Sequence, residues 1–555
     1  MIRKDIEKLV GQAIKKAQKE KALPPFEMPD ILLEHPKQAE HGDYATPVCL
    51  GLARLARLAP VKIAETVVRY LPRADYLGKV EVAHPGYINF TLAESWLTRQ
   101  VEEILKAGES FGNIDLGKGR KIQVEFVSAN PTGPLHVGTG RNAVLGDSLA
   151  NVLQAAGYQV QREYYVNDAG TQMRLFAETL YARYAQALGR DVSLPEEGYQ
   201  GAYMVEMGRQ IADEFGGKFL ALEREEALAA LEGLGVQRTL DGIREDLEMM
   251  GIHMDSWFSE KSVYQDGTFG RVMTILRERE YIREYDGAVW FTSAELGEDK
   301  DNVIIRSDGS PGYFASDIAY HYNKFILRGF ERVIDVWAAD HQGHVPRMKA
   351  MMRALGLDPE RLTLLLYQLV TLKRGGEPVR LSKRTGEIIT LREVLDEVGP
   401  EAVRFFLLAR AADSQMDFDL DLARQESDEN PAHYVRYAHA RIASILRYAA
   451  EQGASDEGGD VSRLTHPLEL ALIRQMLRLP EIVELAALGL APHHLPFYSQ
   501  ELAASFHAFY KECRVISSDP ADAELGRARL KLARVAKAVI ARVLRLMGIE
   551  PPERM

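Results

Sequence analysis

The sequence predicts an α/β protein: a doubly wound parallel sheet at its centre, an α+β domain before it and an all-α helical bundle after it. Three observations carry that expectation. A buried strand, a Pro/Gly-rich turn and a helix start follow one another in VEFVSANPTGPLHVGTGRNAVLGD, Val124 to Asp147. A second strand–helix pair, RVIDVWAADHQGHVPRMKAMMRALG, comes much later, from Arg332 to Gly356. From Leu395 strand signals fade, and Arg404 to Met555 is almost entirely helical in pattern. Two α/β halves split by a long insertion fit a sheet whose crevice receives a nucleotide.

Taken in order, residues 1–115 read as a first domain. It has helical spacing around Pro47 to Arg69, a strand-like stretch VEVAHPGYINFTL and a closing helix near Trp96 to Lys106. FGNIDLGKGRK, Phe111 to Lys121, is a Gly-rich polar linker. Residues 116–425 form the central α/β domain, interrupted by a charged, helix-rich insertion at about Tyr181 to Phe258. Within it, TLKRGGEPVRLSKRTGEIITL (Thr371 to Leu391) reads as a hairpin turning at Gly375-Gly376 and leading into a polar loop. Residues 426–555 form the helical bundle, broken by the linker EQGASDEGGD.

The totals exclude several classes. A chain of 555 residues holds about three or four domains. Two cysteines far apart, Cys49 and Cys513, make neither a disulfide framework nor a cysteine-based zinc site, so a reducing cytosol is expected. The N-terminus alternates charged and apolar residues and lacks the apolar core of a signal peptide. No apolar run reaches membrane-spanning length. The net charge of −12 argues mildly against nucleic acid, but binding depends on where basic residues cluster. Gly526 to Gly548 carries seven of them, Arg527, Arg529, Lys531, Arg534, Lys537, Arg542 and Arg545, with no acid between. That stripe is either a solvated helix face or an RNA-facing one.

The strand–turn–helix places His136 and the first free N–H groups of the helix at the carboxyl edge of the sheet, where phosphates of ATP can be held. Gly138 leaves room for a nucleotide close to the backbone. Lys383 sits in Arg380-Leu381-Ser382-Lys383-Arg384, a cationic loop suited to a triphosphate and its leaving pyrophosphate. Tyr313 and Asp317 are four apart and share one helix face, where a carboxylate can take a guanidinium or simply pack beside a core tyrosine. Glu125 is an acid on an otherwise apolar strand, costly unless it faces a cation. His341 and His344 have no ligand set around them for a metal, and a phosphate or ribose contact suits them better.

His136-Val137-Gly138, preceded by Ser128-Ala129-Asn130-Pro131, resembles the ATP signature of class I aminoacyl-tRNA synthetases in the form of the arginyl-tRNA synthetase family. Ser382-Lys383 resembles the second signature, similar to Lys-Met-Ser-Lys-Ser. HGDYATPV (His41 to Val48), PGYINFTL (Pro85 to Leu92), REYYVNDAGTQM (Arg162 to Met173), MDSWFSE (Met254 to Glu260), NPAHYVRYAHARI (Asn430 to Ile442) and PPERM (Pro551 to Met555) extend the resemblance over nearly the whole chain.

The resemblance implies a Rossmann-type catalytic domain, an N-terminal domain that binds the tRNA elbow and a helical domain that binds the anticodon. It implies an arginine–tRNA ligase, with L-arginine, ATP and tRNA(Arg) as substrates and Mg²⁺ arriving with ATP. His136, Gly138, Thr139 and Lys383 would be catalytic; His136, Gly138, Asp340, His341, Ser382 and Lys383 would hold ATP. Glu125, Asn130, Tyr313, Asp317 and Gln342 would hold arginine. Tyr87 and Asn89 would approach a D-loop base, although a buried hairpin explains them equally well, and Tyr434, Tyr437, Arg441 and Met555 would meet the anticodon. A cytoplasmic monomer is the default expectation. The alternatives are a class I synthetase for another amino acid and a non-catalytic tRNA-binding paralogue. Two departures stand out: Thr139 replaces the usual second histidine of the first signature, and Arg380-Leu381 replaces Lys-Met in the second.

Overall fold

The first unit is built on a three-stranded antiparallel sheet ordered β1-β3-β2, from β1 (Tyr44–Thr46), β2 (Leu77–Ala83) and β3 (Tyr87–Leu92). The computed structural model describes residues 1–379, 389–517 and 519–555, with the side chains of Ala39 and Tyr313 excepted. The helical stretch expected over Pro47 to Arg69 forms as two helices, Val48–Ala56 and Pro60–Tyr70. Arg57 takes the left-handed conformation that ends the first, and Pro60 opens the second at its first turn. The closing helix is Glu94–Ala107.

The central sheet is parallel and ordered β11-β10-β4-β5-β6. Its first half is β4 (Lys121–Glu125), β5 (Gln159–Val166) and β6 (Ser256–Ser259). Between the halves, β7 (Ile282–Tyr285), β8 (Ala288–Phe291) and β9 (Asn302–Ile305) make a separate antiparallel sheet that the sequence pattern did not announce. Then β10 (Arg332–Ala338) and β11 (Leu362–Tyr367) complete the parallel sheet on the other side of β4. The strand order therefore reverses between β4 and β10, and the crevice beyond their carboxyl ends is the topological switch point.

Helix α1 (Val137–Ala155) follows β4, α2 (Tyr313–Tyr322) precedes β10 and α3 (Val345–Ala354) follows it. The insertion starts earlier than the charge pattern suggested, with helices Thr171–Ala187, Ala202–Phe215 and Arg224–Met249 around their own core of Phe176, Leu180, Tyr184, Met204 and Leu231. The hairpin of β12 (Val370–Arg374) and β13 (Glu377–Pro378) turns at Gly375–Gly376 as expected. β12 also pairs in parallel with β14 (Met416–Asp419), a short strand past the point where strand signals fade.

Helix α4 (Pro400–Leu408) leads to the helical bundle, whose members include α5 (Pro431–Glu451), Pro467–Leu477, Leu479–Gly489, His494–Glu512 and α6 (Ala523–Leu546). Cys49 and Cys513 are both buried and unbridged. Among the described residues no helix is long and apolar enough to cross a membrane.

Candidate active site

β4 delivers Glu125 to the switch point, and the chain then turns sharply. Val127 and Ser128 adopt positive φ values of 67° and 40°, a conformation costly for side chains of this kind and found mostly where function requires it. Asn142 of α1 locks the turn: its Oδ1 accepts from the Val127 N–H at 2.6 Å and its Nδ2 donates to the Val336 carbonyl at 2.8 Å. One side chain thus ties α1 to the ends of both β4 and β10. Ser128 Oγ donates to Glu125 Oε1 at 3.0 Å and accepts from the Tyr165 N–H at 3.1 Å.

His136 is the N-cap of α1. Its Nδ1 accepts from the Thr139 N–H at 3.3 Å, and Thr139 Oγ1 lies 3.2 Å from its Nε2. Desolvation by the surrounding turn lowers the histidine pKa below its ordinary value, so the ring is neutral and Nδ1 is free to accept. Gly138 has a use beyond clearance for a nucleotide. A Cβ there would meet His136 Cε1 at 3.0 Å and Nδ1 at 3.1 Å, so glycine is what lets the ring fold back on its own helix. Thr139 is buried and addresses His136, which gives the residue at the departing signature position a definite partner.

These residues line one large cleft of 1860 Å³. Glu125, Asn130, His136, Gly138, Thr139, Asp317, Asp340 and His341 all contribute to its wall. Asn130 sits in a chain of amides, donating to Gln172 at 3.0 Å and accepting from Asn167 at 3.2 Å. Gln342 lies on the same turn as Asp340 and His341, Ala339–His344, but is not part of the wall. Tyr313 opens α2, with its side chain outside the described ones. Ser382 and Lys383 lie outside the described residues, while Val379 and Ile389 on either side of that segment line the cleft.

One end of the cleft is strongly acidic. Glu125, Asp317, Glu260 and Asp335 all line it. Desolvation pushes the Asp317 carboxyl up to about 7, with Glu260, Glu125 and Asp335 adding to the rise. Burial also raises Glu260, against a hydrogen bond from Ser316, and among the described residues its buried Oε2 has no hydrogen-bond partner. Glu260 and Asp335 had no assigned role in the sequence reading. Glu260 closes MDSWFSE at the end of β6, and Asp335 is a single acid on the apolar strand RVIDVWA, the same signal that singled out Glu125.

The helical bundle carries a second candidate surface. Tyr434, Tyr437 and Arg441 fall on one face of α5. Tyr437 stacks on His433 with ring centres 6.0 Å apart, Tyr434 meets His507 at 5.0 Å, and the Arg441 guanidinium lies 4.9 Å from the Tyr510 ring and 5.8 Å from Tyr437. The chain end is pinned to the same helix: His439 Nδ1 meets the Pro552 carbonyl at 2.8 Å, Arg447 donates to the Glu553 carbonyl at 2.9 Å, and Met555 stays exposed. In the first domain Tyr87 is half-buried and Asn89 buried within β3.

The basic stripe of α6 is not a free RNA face. Arg527 pairs with Glu524, Arg529 with Glu469, Lys531 with Glu102, Arg534 with Asp456, Lys537 with Glu553 and Arg545 with Glu109, while Arg542 donates to Asn113. Arg527 is paired within its own helix; the other charges tie α6 to the first domain, the rest of the bundle and the chain end, so most of the acids come from other segments.

A parallel sheet with a neutral N-cap histidine at its switch point, a large cleft above it and a helical bundle beyond defines a class I aminoacyl-tRNA synthetase. Family models match in three blocks: the arginyl-tRNA synthetase N-terminal domain at residues 4–92, the class I (R) tRNA synthetase catalytic domain at 100–411 and the DALR anticodon-binding domain at 435–555. The chain is 54% identical over 546 residues to the arginine–tRNA ligase of Dehalococcoides mccartyi strain CBDB1, covering 98% of each. It is 49% identical over 561 residues to that of Heliobacterium modesticaldum, covering 100% of this chain and 99% of the relative. The arginyl-tRNA synthetase structure from Thermus thermophilus superposes with a TM-score of 0.76 at 26% identity, covering 100% of each chain. The chain belongs to the arginine–tRNA ligase family.

Proposed function

We propose that the cleft joins L-arginine to ATP, giving arginyl-adenylate and pyrophosphate, and then passes the arginyl group to the 3′-terminal ribose of tRNA(Arg). The observation that carries this reading is the acidic end of the cleft. Glu125, Asp317 and Glu260 converge there, and burial raises the Asp317 carboxyl to about 7 and raises that of Glu260. Raised carboxyls of this kind are satisfied by a guanidinium, which stays charged and offers five donors. A synthetase for a neutral amino acid has no use for them, and a non-catalytic paralogue has no use for their position beside His136.

In this reading the arginine side chain occupies the acidic end, with Tyr313 and Asn130 as further contacts. Its carboxylate then attacks the α-phosphate of ATP in line. His136 and the Gly138 N–H at the start of α1 hold phosphate; Asp340 and His341 face the nucleotide. Ser382 and Lys383 are assigned to the leaving pyrophosphate, and Gln342 to arginine, on the family resemblance alone. Mg²⁺ enters as part of the nucleotide substrate. Transfer goes to the ribose 2′ hydroxyl, as in class I enzymes generally. Little covalent chemistry falls to the protein, so positioning and charge stabilisation supply most of the rate.

tRNA(Arg) lies across all three domains, with Tyr434, Tyr437, Arg441 and Met555 at the anticodon and Tyr87 and Asn89 at the elbow, and its presence is required for adenylate formation. The protein works as a cytoplasmic monomer. Replacing Asp317→Ala tests the pocket: the arginine KM rises by about 100-fold or more while that of ATP moves by less than about threefold. An unchanged arginine KM would remove the basis for the assignment.

A further inference from the structure

The parallel register sets three acids side by side. Glu125 on β4 is the partner of Glu163 on β5 and of Asp335 on β10, so a row of carboxylates crosses the centre of the sheet. All three are buried, Glu163 and Asp335 completely. Buried like charges in adjacent positions are among the costliest arrangements a sheet can hold unless each is paired.

The pairing comes from one short stretch of chain. After α2 the backbone widens into a π turn, Asn323–Leu327, of the kind found mostly at functional sites. Arg328 pairs with Glu163 through both of its terminal nitrogens, and Tyr320 donates to Glu163 Oε1 at 2.6 Å. His321 sets Nε2 3.0 Å from Asp335 Oδ2, with its Nδ1 2.8 Å from the Asp317 carbonyl. Lys324, fully buried, places Nζ 2.5 Å from Glu125 Oε2 and 2.8 Å from Asp335 Oδ1, above the Tyr320 ring at 4.2 Å. Glu163 and Asp335 therefore have partners of their own, whereas Lys324 is the cation in contact with Glu125 among the described residues. Glu125 is also the member of the row assigned to substrate.

We propose that Lys324 is a positioning residue of the arginine pocket: by bridging Glu125 and Asp335, it holds the Glu125 carboxylate in place for the substrate without touching substrate itself. This rests on the assignment of Glu125 to the arginine pocket. The electrostatics run the same way. Burial raises Glu125, Lys324 opposes the rise, and Asp335 adds to it. Burial would raise Asp335 too, but Lys324 and His321 outweigh it and hold that carboxyl at about 2. Burial works against the Lys324 ammonium, yet Asp335, Glu125 and Glu163 more than offset it and its pKa stands above the ordinary lysine value. Removing Lys324 leaves Glu125 facing Asp335, with Glu163 in the same row and Asp317 and Glu260 across the cleft. His321 and Arg328 remain, committed to Asp335 and Glu163. Glu125 then takes up a proton and turns from carboxylate to neutral acid.

The test is steady-state aminoacylation by full-length Lys324→Met, Glu125→Gln and the double variant, with arginine and ATP varied separately across pH. Lys324→Met raises the arginine KM by about tenfold or more, with the ATP KM within about twofold, and steepens the acid limb of kcat/KM for arginine as Glu125 joins Asp317 in titrating. Adding Lys324→Met to Glu125→Gln raises the arginine KM no further. Equal losses for arginine and ATP, or additive effects in the double variant, would overturn the proposal. If Glu125→Gln raises the arginine KM and Lys324→Met does not, the role of Lys324 alone is rejected; if Glu125→Gln leaves it unchanged, the pocket assignment fails first. Should Lys324→Met not fold, Lys324→Gln, which keeps a donor in the same space but removes the charge, gives the answer: the same rise in arginine KM and the same steepened acid limb are expected, and an unchanged KM with a limb of slope one overturns the proposal.

Discussion

Arg404 and Asp147 form a buried ion pair beneath the end of the last helix. Arg404 of α4 is 1% exposed and Asp147 of α1 is 4% exposed. The same guanidinium donates from Nε to the Met547 carbonyl at 2.7 Å and from Nη1 to the Met250 carbonyl at 2.8 Å. Arg162 approaches Asp147 from β5 at 3.1 Å. Gly548, at φ +70°, is what lets α6 end here, since a Cβ would fall 1.8 Å from Arg404 Nη2. The anticodon-side bundle thus terminates on a cation that also grips α1, the helix capped by His136.

Breaking that joint should be expensive. Arg404→Met removes the guanidinium, leaves the Met250 carbonyl without its donor, the Met547 carbonyl with only the Ser148 hydroxyl and Asp147 with only Arg162, a loss of about 2–4 kcal/mol. Urea denaturation followed by circular dichroism reads it, and Gly548→Ala destabilises in the same direction. A change of less than about 0.5 kcal/mol, the range of an ordinary surface substitution, would show that the pair is not what fastens the bundle to α1.

The proposed role of Asp317 predicts that arginine binding depends on pH. A carboxyl raised to about 7 is protonated below that pH, when it cannot pair with a guanidinium, so kcat/KM for arginine falls as pH drops through 7. The stability sign is the reverse in the free protein. A raised carboxyl favours the fold at low pH, and that contribution is lost as pH rises through 7. Arginine relieves the penalty, so the rise in Tm on adding it is larger at about pH 8 than at about pH 6. Asp317→Asn abolishes the difference. An equal shift at both pH values would place the guanidinium elsewhere.

The contact between Thr139 and His136 predicts that Thr139 acts through the ring. Thr139→Val keeps shape and volume but deletes the hydroxyl beside Nε2, worth about 1 kcal/mol, so adenylate formation slows by about three- to tenfold with the arginine KM unchanged. Pre-steady-state pyrophosphate release measures this directly. Wild-type rates in Thr139→Val would mean that the backbone N–H alone orients the ring.

The two basic surfaces separate on tRNA binding. Tyr437→Ala and Arg441→Ala lose stacking worth about 1–3 kcal/mol per base and raise the tRNA KM accordingly, leaving arginine and ATP untouched. Arg534→Ala, on the neutralised stripe, leaves the tRNA KM within about twofold. The opposite ranking would move the RNA face to α6.

The sequence announced what local chemistry encodes. The strand, Pro/Gly turn and N-cap histidine of Val124 to Asp147 form where patterning placed them, as does the Gly375–Gly376 hairpin. Glu125 stood out as an acid on an apolar strand. What depended on other segments stayed hidden: β7 to β9 are short strands that exist only through one another, and β14 forms because β12 offers it an edge. Lys324 was invisible because its partners lie 199 residues before it and 11 after it, in strands whose register no local pattern gives. The α6 stripe stayed open between a solvated and an RNA-facing helix for the same reason, since most of its counter-charges come from elsewhere in the chain.

The most direct test of the account is ATP–pyrophosphate exchange by the purified protein with each amino acid in turn, with and without total tRNA. The acidic pocket and the spread of tRNA contacts predict exchange with arginine alone, and only when tRNA is present. Exchange with arginine in the absence of tRNA would reject the coupling and leave the pocket standing. Exchange driven by a neutral amino acid, or none from folded protein that still binds tRNA, would contradict the central claim.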